Sequence, residues 1–455
     1  MSLQIDSYYE TIEVNRSFVN DPLLTYSYIY QKKSRQVFIQ KTTLFGVGYI
    51  DPSGDSRFSV ITGRVAIPRR VKRIGRTGVL FSSAHMTENK TQAKILVIRF
   101  SSVGDIILTT PVFRYLRRVK PGAEIHFLTR SEFAGLLANN PSVDKIIAFN
   151  TKEGFQGLRL LKNKIKSENY DEIFDLHGSL RSRYISLLSG CGNVKRIKKN
   201  QLKRFLLIKF RINLYHWSPG SDGSLARPLS AVEKYLISCG YKITENQNYE
   251  DLRLDLFPSG QDLKNSDTFW KKFSGNAPRI LMAPGARHFT KRWPPEYYAE
   301  LAALLYKKFR FKTAFAGGPD EVETVQEIIR IADPPGKFTV NLAGRLSLTE
   351  TSAVIARSSL FISNDSGLMH MAAASQRHQI CIFGSTVREL GFFPINPRSR
   401  IIETELKCRP CSHIGRKTCP KNHLNCLRKI KPIMVLQEIQ DCMTIFNAEK
   451  KQKRK

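Results

Sequence analysis

The chain has 455 residues and carries 72 Lys and Arg against 39 Asp and Glu, a formal net charge of +33. That excess calls for an anionic partner: nucleic acid, a membrane surface or a phosphorylated substrate. Eight cysteines, four of them clustered at 408–426, do not suggest a disulfide-built scaffold in a chain of this length. No apolar run reaches the eighteen or so residues needed to span a bilayer, and the start lacks the basic-then-apolar pattern of a signal peptide. The expectation is a cytoplasmic protein, soluble or peripherally attached.

Residues 1–90 differ from the rest. Short aromatic and β-branched runs occur at 26–30, 36–39 and 58–61, and a basic patch at 69–76, but no long helical period joins them. They read as a small β-rich module, as a basic arm, or as an extension ahead of the true start, because Met86 lies eight residues before the first strand of an α/β pattern.

From residue 94 strands and helices alternate. The apolar run 95–100, with one charge at Arg99, predicts a strand buried on both faces of a parallel sheet. A tight polar loop follows, then a helix with Leu108, Val112, Leu116 and Val119 on its inner face. Further strands are expected at 123–128, 145–149 and 172–176, with helices at 133–137, 158–166 and up to 188. The segment 195–217 is basic yet interleaved with apolar residues; it fits an anionic membrane face, a grip on an anionic substrate, or a solvated surface helix. Residues 259–276, polar and Gly/Ser-punctuated with a helix expected around Trp270, read as a linker. A second alternation follows, with strands at 279–283, 312–316, 339–342, 360–363 and 379–383 and helices between them. The expected organisation is a domain at 91–265, a second at 276–430, an amphipathic closing helix at 431–448 that crosses back onto the first, and a basic tail at 449–455. Alternation of this kind predicts doubly wound parallel sheets.

Three loops that follow strands of the second half should gather at one sheet edge. The Asp365-Ser366-Gly367 loop opens a helix, whose free N–H groups and dipole suit a diphosphate. Lys291 and Arg292 add positive charge, and Asp320 or Glu321 is placed to accept from ribose hydroxyls. No G-x-G-x-x-G or Walker pattern stands at the strand–helix junctions, which argues against dehydrogenases and P-loop enzymes. In the first half, Asp105 sits where α/β proteins place their chemistry, beyond the carboxyl end of a strand. It reads as a helix cap or as a base facing the diphosphate site.

Three motifs, FSSVGDIILTTP at 100–111, APGARHFTKRWPPEYY at 283–298 and FISNDSGLMHMAAA at 361–374 with a following IFG, resemble those of family-9 glycosyltransferases in order and context. The likeness spans 94–431. It implies the GT-B architecture, two Rossmann-like domains facing across a cleft, and inverting transfer of heptose or a related sugar from an ADP-sugar to a lipopolysaccharide-core acceptor, with no metal cofactor required. By that resemblance Asp105 is the base, Lys291 binds phosphate, and Asp365, Ser366, Gly367 and His370 belong to the donor site. Ser101, Ser102 and Gly104, with His177 and Arg181 of DLHGSLRS, stand on the acceptor side. Ser230 replaces the histidine that often precedes Ala-Val-Glu in the family. The implied setting is peripheral, on the cytosolic face of an inner membrane, with an anionic glycolipid acceptor, no nucleic acid, and a monomeric enzyme.

Cys408, Cys411, Cys419 and Cys426 would permit a structural zinc site, though only the first pair has tight C-x-x-C spacing; reduced thiols or a redox-labile pair are the alternatives. A basic nucleic-acid-binding protein, and a GT-B epimerase or sugar-binding relative, are the competing functions. A chain beginning at Met86 is expected to fold and stay active; failure to melt cooperatively would show that the first ninety residues are integral.

Overall fold

A computed structural model describes residues 26–31, 36–41, 45–49, 92–215, 227–244 and 247–452. The chain divides into two units, Met1–Glu88 and Asn89–Lys455. The first contains an antiparallel meander, β1 (Tyr26–Gln31), β2 (Gln36–Lys41) and β3 (Phe45–Tyr49). Two of these strands match expected runs; the glycines of FGVGY concealed the third. The runs at 58–61 and 69–76 lie outside the described residues.

The second unit holds two parallel sheets. The first has strands β4 (Lys94–Ile98), β5 (Glu124–Arg130), β6 (Lys145–Phe149), β7 (Glu172–Asp175) and β8 (Val194–Arg196) in the order β6-β5-β4-β7-β8. The second has β9 (Ile280–Ala283), β10 (Thr313–Phe315), β11 (Thr339–Asn341), β12 (Leu360–Asn364), β13 (His378–Phe383) and β14 (Ser399–Glu403) in the order β11-β10-β9-β12-β13-β14. Ile95–Ile98 are fully buried, as expected of a strand covered on both faces. In each sheet the chain runs outward in one direction and then reverses. The reversal falls between β4 and β7 in the first sheet and between β9 and β12 in the second. Open α/β sheets bind ligands in the crevice at this switch point.

Four features differ from the sequence expectation. The segment after β4 forms two helices, Val103–Ile107 and Thr110–Val119, and Pro111 falls in the first turn of the second. It therefore removes no helical hydrogen bond and bends nothing. The linker candidate contains the helix expected around Trp270, a 15-residue element, Gly260–Ser274, capped by Ser259, but it is docked and not a free connection. Its Trp270 is fully buried, with Nε1 donating to the Val354 carbonyl at 3.2 Å, and Ser266 Oγ donates to Ala353. The polar composition belongs to the exposed face of a helix docked on Leu348–Ala356. The final helix, Pro432–Gln452, does not cross to the first sheet. Val435, Leu436 and Ile439 pack into the core of the second, against helix Pro295–Phe309, and the helix continues through residues expected to be tail. Lastly, the basic stretch 195–217 holds the helix that was among its readings, Gln201–Phe210, but it begins as strand β8.

Replacing Trp270 by Ala should lower stability by about 3–5 kcal/mol, the usual cost of deleting a large buried aromatic; urea denaturation would measure it, and a loss below about 1 kcal/mol would contradict this packing.

Candidate active site

The two switch points open onto one cleft, with a cavity of about 570 Å³ lined from both halves. The first half supplies Ser101, Ser102, Gly104, Asp105 and His177; the second supplies Lys291, Asp365, Ser366, Gly367 and His370.

Asp105 is the third residue of its helix and closes a capping box: Ser102 N and Oγ donate to Asp105 Oδ2 at 3.1 and 2.9 Å. The other oxygen receives Arg99 Nη2 at 2.6 Å and, more distantly, the Tyr235 hydroxyl at 3.4 Å. Burial works to raise the pKa of Asp105, but the Arg99 charge and the Ser102 hydrogen bonds outweigh it and hold the carboxyl below its usual range. About a fifth of the side chain, 21%, still faces the cleft. Cap and accessible carboxylate are thus one residue. Arg99 is fixed by its other donors, Nε to the Ser101 carbonyl at 2.8 Å and Nη1 to the Leu176 carbonyl at 2.7 Å, and its guanidinium lies 5.4 Å from the Tyr235 ring centre.

On the facing wall, Asn364 ends β12 and ties two loops together. Its Nδ2 donates to the Pro284 carbonyl at 2.6 Å and its Oδ1 accepts from Trp293 N at 3.0 Å. Lys291 therefore stands beside Asp365, with Nζ 2.7 Å from Oδ2. Thr386 Oγ1 donates to the same oxygen at 2.6 Å. Asp365 is buried and its Oδ2 is shared by these two partners, so it orients Lys291. Ser366 is the N-cap of helix Gly367–Ala374, and its Oγ makes no hydrogen bond to the described residues. The same holds for Nδ1 of buried His370. Burial, the largest influence, pushes His370 down to about 4, so the ring is neutral at physiological pH. His177, also governed first by burial and then by Arg99 and Lys199, lies at about 4 as well.

Four expected site residues do not line this cavity: Arg292, Asp320, Glu321 and Arg181. Arg292 Nε donates to the Ala286 carbonyl of its own loop at 2.6 Å. Glu321 accepts from Gly318 N at 2.8 Å, capping its own turn, and lies directly over Gly285. Asp320 occupies the same short turn, Pro319–Glu321, and Arg181 is exposed on helix Leu180–Leu187. Conversely, Arg99, Tyr235, Lys199, Arg204, Arg287, His288 and Lys234 line the cleft without having been singled out. Burial lowers Lys234 to about 8. Arg99 was detectable as the one charge in the apolar run 95–100; Tyr235 and Lys234 come from a helix far away in sequence, directly after the Ala231-Val232-Glu233 element, and were not picked out.

The cysteine segment supports the Lys291 loop. Arg416 N donates to Thr290 Oγ1 at 2.8 Å, and Thr290 N donates back to the Arg416 carbonyl at 3.2 Å. Cys408, Cys411, Cys419 and Cys426 border a small cavity of about 80 Å³ together with His423, all as free thiols. Cys408 Sγ lies 3.9 Å from His423 Nε2, and among the described residues no three Cys, His, Asp or Glu side chains form a ready-made metal cluster. Burial pushes the Cys426 thiol up to about 11, whereas four backbone amides of residues 421–424 outweigh burial at Cys419 and lower it.

Two Rossmann-like domains, each presenting its switch point to a shared cleft with a carboxylate on one wall and a cationic helix N-terminus on the other, define a GT-B glycosyltransferase. Residues 158–422 match glycosyltransferase family 9 (heptosyltransferase). The chain is 29% identical over 329 residues to lipopolysaccharide heptosyltransferase 1 of Campylobacter coli, covering 71% of this chain and 93% of that enzyme. It is 32% identical over 299 residues to lipooligosaccharide heptosyltransferase 2 of Haemophilus influenzae, covering 64% and 83%. The structure of the E. coli ADP-heptose lps heptosyltransferase II superposes with a TM-score of 0.59 at 23% identity, covering 78% of this chain and 99% of that one. The chain belongs to glycosyltransferase family 9, the heptosyltransferases.

With His370 buried and neutral, the unfolded chain binds its proton near pH 6.5 and the folded chain only near 4. Stability should therefore fall as pH drops through that window, by about 2–3 kcal/mol between pH 7 and 4.5 from this residue. Denaturation of His370→Gln should show a correspondingly smaller loss; an identical pH dependence would contradict the assignment.

Proposed function

We propose that this protein transfers heptose, or a closely related sugar, from an ADP-sugar to a lipid-linked lipopolysaccharide-core acceptor with inversion at the anomeric carbon. Asp105 is the general base, and the enzyme works at the cytosolic face of the inner membrane. The observation that carries this is the single cleft in which Asp105 of one half faces Lys291, Ser366 and Gly367 of the other. Membership of the heptosyltransferase family supports the sugar, and the description of the E. coli relative as an ADP-heptose enzyme supports the donor.

Inverting transfer requires a base on the opposite side of the reacting carbon from the departing diphosphate. Asp105 is held ionised by Arg99, which also makes it a weak base at rest. Proton transfer then belongs late in the step, when bond formation to the electron-poor anomeric carbon has made the acceptor hydroxyl acidic. Because Arg99 is anchored to Ser101 and Leu176, it keeps the carboxylate in place while a free lone pair receives the proton. The leaving diphosphate gathers negative charge, which Lys291 and the amides opening helix Gly367–Ala374 are placed to meet. The unpaired Ser366 Oγ can donate to the same group. Arg99, Lys199, Arg204 and Arg287 make the rest of the cleft basic, as an anionic acceptor requires.

Asp105→Asn should lower turnover by at least about a hundredfold, the typical contribution of a general base, with donor affinity little changed. Sugar transfer from a panel of ADP- and UDP-sugars, combined with donor binding by thermal shift, would measure both; near-normal turnover in the mutant would remove Asp105 from the role.

A further inference from the structure

Helix Gln201–Phe210 has two unlike sides. On one side Gln201 and Arg204 line the cleft, and Leu207 is buried with Tyr215 and Leu390. The helix is tied across to the second half by Arg211, whose Nε and Nη2 donate to the carbonyls of Lys407 and Cys408 at 3.2 and 2.9 Å. The opposite side carries Leu202, Phe205, Leu206 and Phe210, whose spacing places them in one stripe. Three of these are strongly exposed, Leu202 at 70%, Phe205 at 54% and Phe210 at 58%, and Ile212 extends the stripe. The Phe205 and Phe210 rings touch, with centroids 5.8 Å apart.

The segment itself is strongly cationic, although Glu389 of the second half accepts from Asn213 Nδ2 at 3.1 Å just beyond the helix. From Leu176 to Gly220 the sequence contains no Asp or Glu, while Lys195, Arg196, Lys198, Lys199, Lys203 and Lys209 crowd this one segment. An apolar stripe with Lys209 within it and Lys203 at its edge, on a helix too short and too charged to insert across a bilayer, has the chemistry of an interfacial helix lying on anionic lipid. Its place at the cleft rim gives that contact a use. We propose that helix Gln201–Phe210 docks the enzyme on an anionic phospholipid surface, burying Leu202, Phe205 and Phe210 at the headgroup boundary so that the cleft opens beside the membrane where a lipid-linked acceptor is anchored. The use of the contact rests on the transfer reaction proposed above; the contact itself does not.

The test is co-sedimentation of the full chain with vesicles of phosphatidylcholine alone and of phosphatidylcholine with about one third phosphatidylglycerol, in the absence of donor and acceptor. Binding should be at least about tenfold tighter to the anionic vesicles and should weaken in high salt. It should drop at least about tenfold in a variant carrying Leu202→Glu, Phe205→Glu and Phe210→Glu, with an unchanged melting temperature. A triple serine variant provides the same readout if the glutamates unsettle the helix. Transfer to a delipidated, water-soluble acceptor should be unaffected in either variant, whereas transfer to acceptor embedded in vesicles should fall. Equal binding to neutral and anionic vesicles, undiminished binding by the variants, or binding of nucleic acid and not of vesicles would overturn the proposal. Because vesicle binding is read without substrates, its failure is separable from a failure of sugar transfer.

Discussion

Everything at the cleft depends on how closely two backbones approach. The helices beginning at Val103 and Gly367 meet end to end, and neither glycine at the contact leaves room for a side chain. A Cβ on Gly104 would stand 2.7 Å from the His370 ring, and one on Gly367 would stand 3.0 Å from Val103 Cβ and 3.3 Å from Gly104 N. The contact sets the distance between the halves, and it aims both helix N-termini into the same space. It also explains why His370 is buried and neutral: its ring fills the gap that Gly104 leaves.

Electrostatics then sorts the residues around this contact. Each of the two carboxylates in the cleft is matched by its own cation, Asp105 by Arg99 and Asp365 by Lys291. The pairs are not equivalent. Asp105 keeps an exposed edge, whereas Asp365 is almost wholly buried between Lys291 and Thr386. The first is suited to take a proton from a ligand, the second to hold a lysine in position. The cysteine segment contributes at a further remove, by bracing the loop that carries Lys291.

Much of this was legible in the sequence because buried parallel strands are continuous apolar runs, and β4, β9, β12 and β13 all announce themselves in that way. Strands β8 (VKR) and β14 (SRIIE) do not, since strands at a sheet edge can carry charge without cost. The helix at Gly260–Ser274 was expected around Trp270 but read as part of a linker, because only Trp270 and Ser266 of it are buried and its other faces are polar. The site followed the same logic. Asp105, Lys291 and Ser366 lie at strand ends, where topology gathers them whatever their side chains do. Arg292 and Glu321 also lie at strand ends, but the backbone of their own loops captures them, through Ala286 and Gly318, and spacing carries no sign of such short-range competition.

The central claim is a single displacement in which Asp105 deprotonates the acceptor on one face of the sugar while the diphosphate leaves from the other. The anomeric configuration of the product, read from the one-bond carbon–proton coupling at C1 after transfer from a donor of known configuration, tests it most directly. Inverted configuration is the predicted result; retention would require a covalent or front-face mechanism and would contradict the account.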